Sequence, residues 1–146
     1  MKQINDAGTY FPLWSTCLGF ELLIRMEADD LPFDRCNETD VTRSLGFLWD
    51  EGETRRQSRI FRDVSPTTFA HMRDQQVAYH FHRWCITRQA FEDAKLSDKF
   101  KVISANSDAK GSAYVNVIES VKYPNYAVQF HPEKPAFEFV YQDGHR

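Results

Sequence analysis

One stretch constrains this chain more than any other. Phe11-Pro12-Leu13-Trp14-Ser15-Thr16 reads as an apolar strand that ends at Cys17, with Gly19 and the helix-forming run Phe20-Glu21-Leu22-Leu23 directly behind it. That order places a thiol at a sharp strand-to-helix turn, the layout of a nucleophile elbow. Small residues beside the thiol relieve crowding where the backbone bends tightly. The helix that follows aims its N-terminal N–H groups at the sulfur and favours thiolate over thiol. A buried structural cysteine is the plain alternative, because free cysteine is among the most buried residue types.

A second segment raises the chemical reading. Tyr126-Ala127-Val128-Gln129-Phe130-His131-Pro132-Glu133 reads as a short strand that ends in a histidine, is stopped by proline and carries a glutamate two positions on. A nucleophilic thiol needs a base, and the base needs an orienting partner. His131 and Glu133 are suitable types in a suitable order. Their distance along the chain from Cys17 is no obstacle, since catalytic partners meet in the fold.

These segments resemble the gamma-glutamyl hydrolases, relatives of the class I glutamine amidotransferases. The run from Tyr10 to Glu21 is similar to that family's elbow. Tyr123-Pro124 to Lys134 is similar to its histidine segment, and Phe81-His82-Arg83-Trp84 to the stretch holding a second active-site histidine. Fainter similarity runs through Ser58-Arg59-Ile60-Phe61 and Ser104-Ala105-Asn106-Ser107-Asp108, so the resemblance spans Tyr10 to about Phe139. It implies an α/β fold of the class I glutamine amidotransferase-like, flavodoxin-like kind, a sheet sandwiched by helices. It implies Cys17 as nucleophile, His131 as general base and Glu133 as the residue that orients the base. His82 would bind or polarise substrate, and the Leu18 N–H would hold the oxyanion. Glu21, one helical turn after Cys17, would meet the ammonium of a glutamyl unit or stabilise the helix dipole. The implied substrate is a small molecule, a folylpoly-gamma-glutamate, with no cofactor and no metal, and a homodimer is allowed.

The chain departs from the family in two ways. Ser15 stands where the family usually has glycine, and serine lacks glycine's freedom at positive φ. Only sixteen residues precede Cys17, where the family places several strands and a glycine-rich loop that completes the oxyanion hole, and the family's last helix is missing after Arg146. The expectation is one partial domain over residues 1–146. Three rival readings accompany the hydrolase: a glutaminase-type amidotransferase domain that delivers ammonia to a partner, a non-catalytic truncated remnant, and a chain destabilised by exposed sheet edges.

Composition bounds the alternatives. The chain has 146 residues, enough for a modest core, and its aromatic content of 14% argues against disorder. A net charge of −3 gives no electrostatic case for nucleic acid or a membrane surface. No apolar run approaches the roughly 20 residues that span a bilayer. Met1-Lys2-Gln3-Ile4-Asn5-Asp6 is no signal peptide, so the chain as written would stay in the cytosol. The resemblance instead implies an extracellular, lysosomal or vacuolar protein. Cys36 and Cys85 are expected to be unpaired in preference to bridged. Asn37-Glu38-Thr39 is a glycosylation sequon.

The pattern predicts strands over Thr9–Thr16, Val77–Ile86, Phe100–Ser104, Ala113–Val121 and Tyr126–Phe130. Helices are predicted from Cys17 to about Met26, fading at Ala28-Asp29-Asp30 before Pro32, from Pro66 to about Arg73 behind a Ser65 cap, and from Arg88 to Leu96 behind Thr87. Leu31 to Val64 is polar and reads as loops with short strands, for example Leu45–Trp49. His80 and His82 share one strand face and, with Cys85 or His131, are zinc-ligand types, but the spacing fits no strong metal pattern. Arg55, Arg56, Arg59 and Arg62 form a basic cluster. It is a solvated face in the ordinary reading, or a guide for a polycarboxylate tail.

Overall fold

The computed structural model describes residues 1–28 and 33–134. The sequence expectations at Asp29, Asp30 and Pro32, and those beyond Lys134, lie outside the described residues. Helix α1 (Lys2–Asp6) leads to strand β1 (Leu13–Thr16) and helix α2 (Leu18–Arg25). Strand β2 (Asp34–Arg43), helix α3 (Glu51–Gln57) and helix α4 (Pro66–Asp74) follow. Strand β3 (Ala78–Cys85), helix α5 (Arg88–Asp93) and a 3-10 turn (Leu96–Asp98) precede strands β4 (Phe100–Ser107), β5 (Ala113–Ser120) and β6 (Asn125–Val128).

Four strands form a sheet in the order β1-β6-β5-β4, and β2 and β3 form a separate antiparallel pair. Within the sheet β1 runs parallel to β6, while β6–β5 and β5–β4 are antiparallel. Successive residues of a strand face opposite sides, and both sides are covered here. Ala127 and Ile118 meet Phe20, Leu23 and Ile24 of α2 together with Phe91 of α5. Val128 and Val117 meet Leu45, Phe61 and Phe130 on the other side. Burial of strand residues on both faces explains why β5 is almost continuously buried.

The helices start where the sequence puts caps. Ser65 and Thr87 accept from the Thr68 and Ala90 N–H groups, satisfying donors that the first turn leaves open. Helix α2 buries Phe20, Leu23 and Ile24 and leaves Leu18 and Leu22 exposed, as is Met26 at its C-cap.

Three expectations for the middle of the chain are corrected. The stretch from Asp34 to Arg43 is a ten-residue strand, not loop. It escapes an apolar pattern because its buried member is Glu38, whose carboxylate is held by Arg43 through two hydrogen bonds of 2.8 and 3.0 Å and by the Tyr114 hydroxyl at 3.0 Å. Glu51–Gln57 is a helix, capped by Asp50, whose Oδ1 accepts from the Glu53 N–H. Cys36 and Cys85 are joined by a disulfide across β2 and β3, their Cα atoms 5.8 Å apart. The expectation that both thiols are free therefore fails: strand pairing sets Asp34 opposite Cys85 and Arg35 opposite Trp84, and an irregularity after Arg35 brings Cys36 within reach. Closing a loop of 49 residues is worth on the order of 4 kcal/mol of unfolded-state entropy.

The basic cluster is mostly committed to structure. Arg55 pairs with Glu51 and Arg56 with Glu53 on α3. Arg59 bonds to Glu119 and to the carbonyls of Ser120 and Tyr123, and its guanidinium lies 5.0 Å from the Tyr126 ring centre.

Candidate active site

Cys17 sits at the turn between β1 and α2 with φ 50° and ψ −105°. A non-glycine residue held there stores roughly 1–3 kcal/mol of backbone strain, and such strain collects at functional sites. Two backbone bonds and the strand ladder hold the turn. The Cys17 N–H donates to the Val128 carbonyl at 2.9 Å, the Glu21 N–H donates to the Cys17 carbonyl at 3.1 Å, and β1 is paired with β6 up to Thr16 opposite Val128. Ser15 is compatible with this turn because it lies in the strand, and the positive φ falls on Cys17. The close approach falls on Gly19: a Cβ there would lie 3.4 Å from Ser15 Cβ. Two small residues thus let α2 cross over the end of β1.

Strand β3 joins the two halves of the site. The Cys17 thiol donates to the Phe81 carbonyl at 3.9 Å, and the His131 N–H donates to the Tyr79 carbonyl at 2.8 Å. Those carbonyls are two residues apart on one strand, a span of roughly 7 Å. The elbow and the histidine segment are therefore moored side by side, and the charges of Glu133 and Lys134 are felt at the sulfur. His131 Nδ1 lies 2.7 Å from Glu133 Oε1. A carboxylate only accepts, so Nδ1 carries the proton and Nε2 is left as the basic nitrogen.

The sulfur itself is half-buried. Burial pushes the Cys17 thiol above its ordinary value and the Glu21 and Glu133 carboxylates add to this, while the Leu18 N–H and Lys134 oppose it. Burial would raise the Glu133 carboxyl, but the hydrogen bond with His131 holds it below the usual carboxylate range. Glu21 accepts from Gln129 Nε2 at 3.2 Å, a link from α2 to the segment leading into His131, and its carboxyl is raised by burial.

His82 is buried in β3. Its Nδ1 lies 3.0 Å from the Trp84 carbonyl and its Nε2 3.0 Å from His80 Nδ1. Burial holds His82 down to about 4 and His80 down to about 3, so both rings are neutral near pH 7. His82 stands on the strand that moors Cys17, and its described polar partners are those two groups and the disulfide sulfurs.

Four residues that contribute here lacked a role in the sequence reading. The carbonyls of Tyr79 and Phe81 are backbone atoms, invisible to a residue pattern. Gln129 is fully buried, and its place between Val128 and His131 in the quoted motif was the available signal. Lys134 lies 5.4 Å from the Tyr79 ring centre and 5.6 Å from that of Phe81, putting a cation beside the site.

The family profile for Glutamine amidotransferase class-I matches residues 3–138. The chain is 36% identical over 135 residues to the gamma-glutamyl hydrolase of Rattus norvegicus, covering 92% of this chain and 41% of that protein. It is 32% identical to the gamma-glutamyl hydrolase of Homo sapiens, covering 97% and 43%, and 34% identical to gamma-glutamyl hydrolase 2 of Arabidopsis thaliana, covering 92% and 39%. It thus spans about two-fifths of the length of these relatives. The crystal structure of a candidate GMP synthase component from Thermoplasma acidophilum superposes with a TM-score of 0.52 at 18% identity, over 90% of this chain and 52% of that one. That likeness speaks for the α/β fold alone. A strained cysteine elbow and a histidine–glutamate pair moored on one strand agree with these matches, and the chain belongs to the class I glutamine amidotransferase family.

Proposed function

We propose that the protein is a cysteine hydrolase of the gamma-glutamyl hydrolase kind, cleaving gamma-glutamyl amide bonds of folylpoly-gamma-glutamates through a thioester. The observation that carries this reading is Cys17 in its strained turn beside a His131 already bonded to Glu133. His131 Nε2 takes the thiol proton as the sulfur attacks the side-chain amide carbonyl. Because burial favours the neutral thiol, proton removal accompanies attack and no preformed thiolate is needed. The Leu18 N–H, next along the helix, donates to the tetrahedral oxyanion. The intermediate collapses, the carbon–nitrogen bond breaks and the imidazolium protonates the leaving amine. Water then attacks the thioester with His131 as base, and the acid and the free thiol are released. Glu133 keeps the imidazole in the tautomer that both steps need. His82, Glu21 and Lys134 are proposed to contact the substrate.

The test is incubation of the purified chain with a gamma-linked diglutamyl folate. Free glutamate from the wild type and none from Cys17→Ala is expected. Turnover that survives Cys17→Ala would overturn the proposal, and release of ammonia from glutamine without cleavage of the folate would replace it with the amidotransferase reading.

A further inference from the structure

The β2–β3 pair carries a cluster whose two sulfurs the proposed chemistry does not use, gathered around the His82 ring. Cys36 Sγ and Cys85 Sγ each lie 3.7 Å from His82 Nδ1, and these three groups stand out among the described residues as metal-ligand types converging within 4.8 Å of one another. The sulfurs are bonded to each other, so the cluster offers a single nitrogen donor as it stands. We propose that reduction of the Cys36–Cys85 disulfide converts this cluster into a Cys2His site for a thiophilic divalent cation such as zinc.

The geometry fits. On a tetrahedral zinc ion a sulfur at about 2.3 Å and a nitrogen at about 2.0–2.1 Å stand roughly 3.5 Å apart. Both sulfurs already hold nearly that separation from Nδ1. Two sulfurs on such an ion stand about 3.7 Å apart, so cleavage of their bond must be followed by a parting of the two side chains. Cys36 lies where the β2–β3 register is irregular, so it can turn without breaking the ladder. Cys36 also borders a surface depression lined by Asn37, Thr39, Arg35, Arg83 and Lys110, from which a water can reach the fourth position, and the three cations there set an electrostatic barrier that the two thiolates must outweigh.

The protons balance. A dithiol reductant gives two electrons and two protons to the disulfide and becomes a disulfide itself, leaving two thiols on β2 and β3. The cation displaces both thiol protons to solvent. His82 must bind through Nδ1, which now carries a proton because the Trp84 carbonyl facing it at 3.0 Å can only accept. Nε2 is then the acceptor and His80 Nδ1 the donor across their 3.0 Å contact, and His80 Nε2 is a buried nitrogen with no partner among the described residues. Metal binding reverses the order. His82 gives up its Nδ1–H bond to the Trp84 carbonyl, which must turn aside for the cation, and its proton passes to Nε2, which donates to His80 Nδ1; His80 then carries its own proton on Nε2, a buried donor without a partner among the described residues. Both rings stay neutral, and His80 becomes the group that orients the ligand histidine.

The full-length chain, reduced with a phosphine and freed of reductant under nitrogen, is titrated with zinc in competition with a chromogenic chelator. Cobalt(II) is the spectroscopic probe. One zinc per reduced chain and none per oxidised chain is expected, with thiolate-to-cobalt charge-transfer bands. Cys17 is a free thiol in both samples, so it cannot account for the difference. Cys36→Ser and Cys85→Ser should each abolish the bands, and His80→Phe should weaken binding about tenfold or more while keeping them. Equal binding by oxidised and reduced chains, binding that survives Cys36→Ser, or loss of the far-ultraviolet circular dichroism signal on reduction would each overturn the proposal.

Discussion

The Cys17 N–H and the Val128 carbonyl meet at 2.9 Å, where the edge strand ends and the next strand is about to release its chain toward His131. The bond extends the parallel ladder by one residue past Thr16, and it fixes the thiol at the carboxyl ends of two adjacent strands. Ligands of open α/β sheets bind at such ends. The position of the candidate nucleophile thus follows from β1–β6 register, and its orientation from the positive φ that turns the chain into α2.

The thiol should titrate late. Burial, then the Glu21 carboxylate, raise its pKa above the ordinary 9.0. Alkylation by iodoacetamide as a function of pH should therefore show a midpoint above 9.0 in the free protein, and Glu21→Gln should shift it down. The same displacement affects stability. The folded state keeps the proton longer than the unfolded state, so the contribution is fully present below the unfolded value and is lost as pH rises through the folded one. A midpoint near neutrality would show a preformed thiolate and contradict the proton-coupled attack.

The elbow tolerates Ser15 for a reason that can be measured. Ser15 is extended, so Ser15→Gly gains nothing from added freedom and should cost about 0.5–1 kcal/mol in a strand. Gly19 faces Ser15 closely, and Gly19→Val would drive two methyl groups into that contact, with an expected loss of about 1–3 kcal/mol from overpacking. Urea denaturation of both variants checks the pair. A stabilising Ser15→Gly would mean that the position is strained after all.

How much the sequence revealed depends on what held each element. Cys17, His131 and Glu133 follow short apolar strands that are stopped by a helix or by proline, signals that are local and strong. The alternation over Val77–Ile86 set His80 and His82 on one face, and the structure buries both. Strand β2 was hidden because its inward residue is an ion-paired glutamate, and a pattern of apolar residues cannot register Glu38 bonded to Arg43. The disulfide was hidden with it, since Cys36 faces Cys85 only once β2 lies against β3. The Asp50 to Glu53 cap of α3 was a readable signal that the polarity of the surrounding stretch obscured.

Gly46 marks where the loop after β2 passes over β4. A Cβ at that position would lie 2.0 Å from the Ala105 carbonyl oxygen, inside any attainable contact, and the Gly46 carbonyl accepts from the Ala105 N–H at 2.9 Å. Gly46→Ala must push the loop off the strand and lose that bond together with the Leu48 N–H to Ile103 carbonyl bond at 3.1 Å. The expected loss is about 2–4 kcal/mol, from overpacking plus one or two hydrogen bonds. Thermal denaturation monitored by circular dichroism reads it, and an unchanged midpoint would show that the loop can lift freely.

Glu119 shows how the segment around Ser58 supports the sheet from a distance. Its buried carboxylate receives the Ser58 hydroxyl, the Arg59 N–H at 2.9 Å and the Ile60 N–H at 2.9 Å, with the Arg59 guanidinium at 3.5 Å. Two backbone donors, a hydroxyl and a cation thus converge on one carboxylate at the end of β5. Glu119→Gln keeps the shape but replaces one acceptor oxygen with a donor that faces N–H groups, and it leaves Arg59 without its counter-charge. Removing one member of a buried charge pair costs about 3–5 kcal/mol, and the exposed part of Arg59 brings the expectation to the lower end. Arg59→Ala should cost less, because the backbone donors still satisfy Glu119. Urea midpoints for the two variants check the order; equal losses would mean that the guanidinium, and not the backbone turn, is what the carboxylate holds in place.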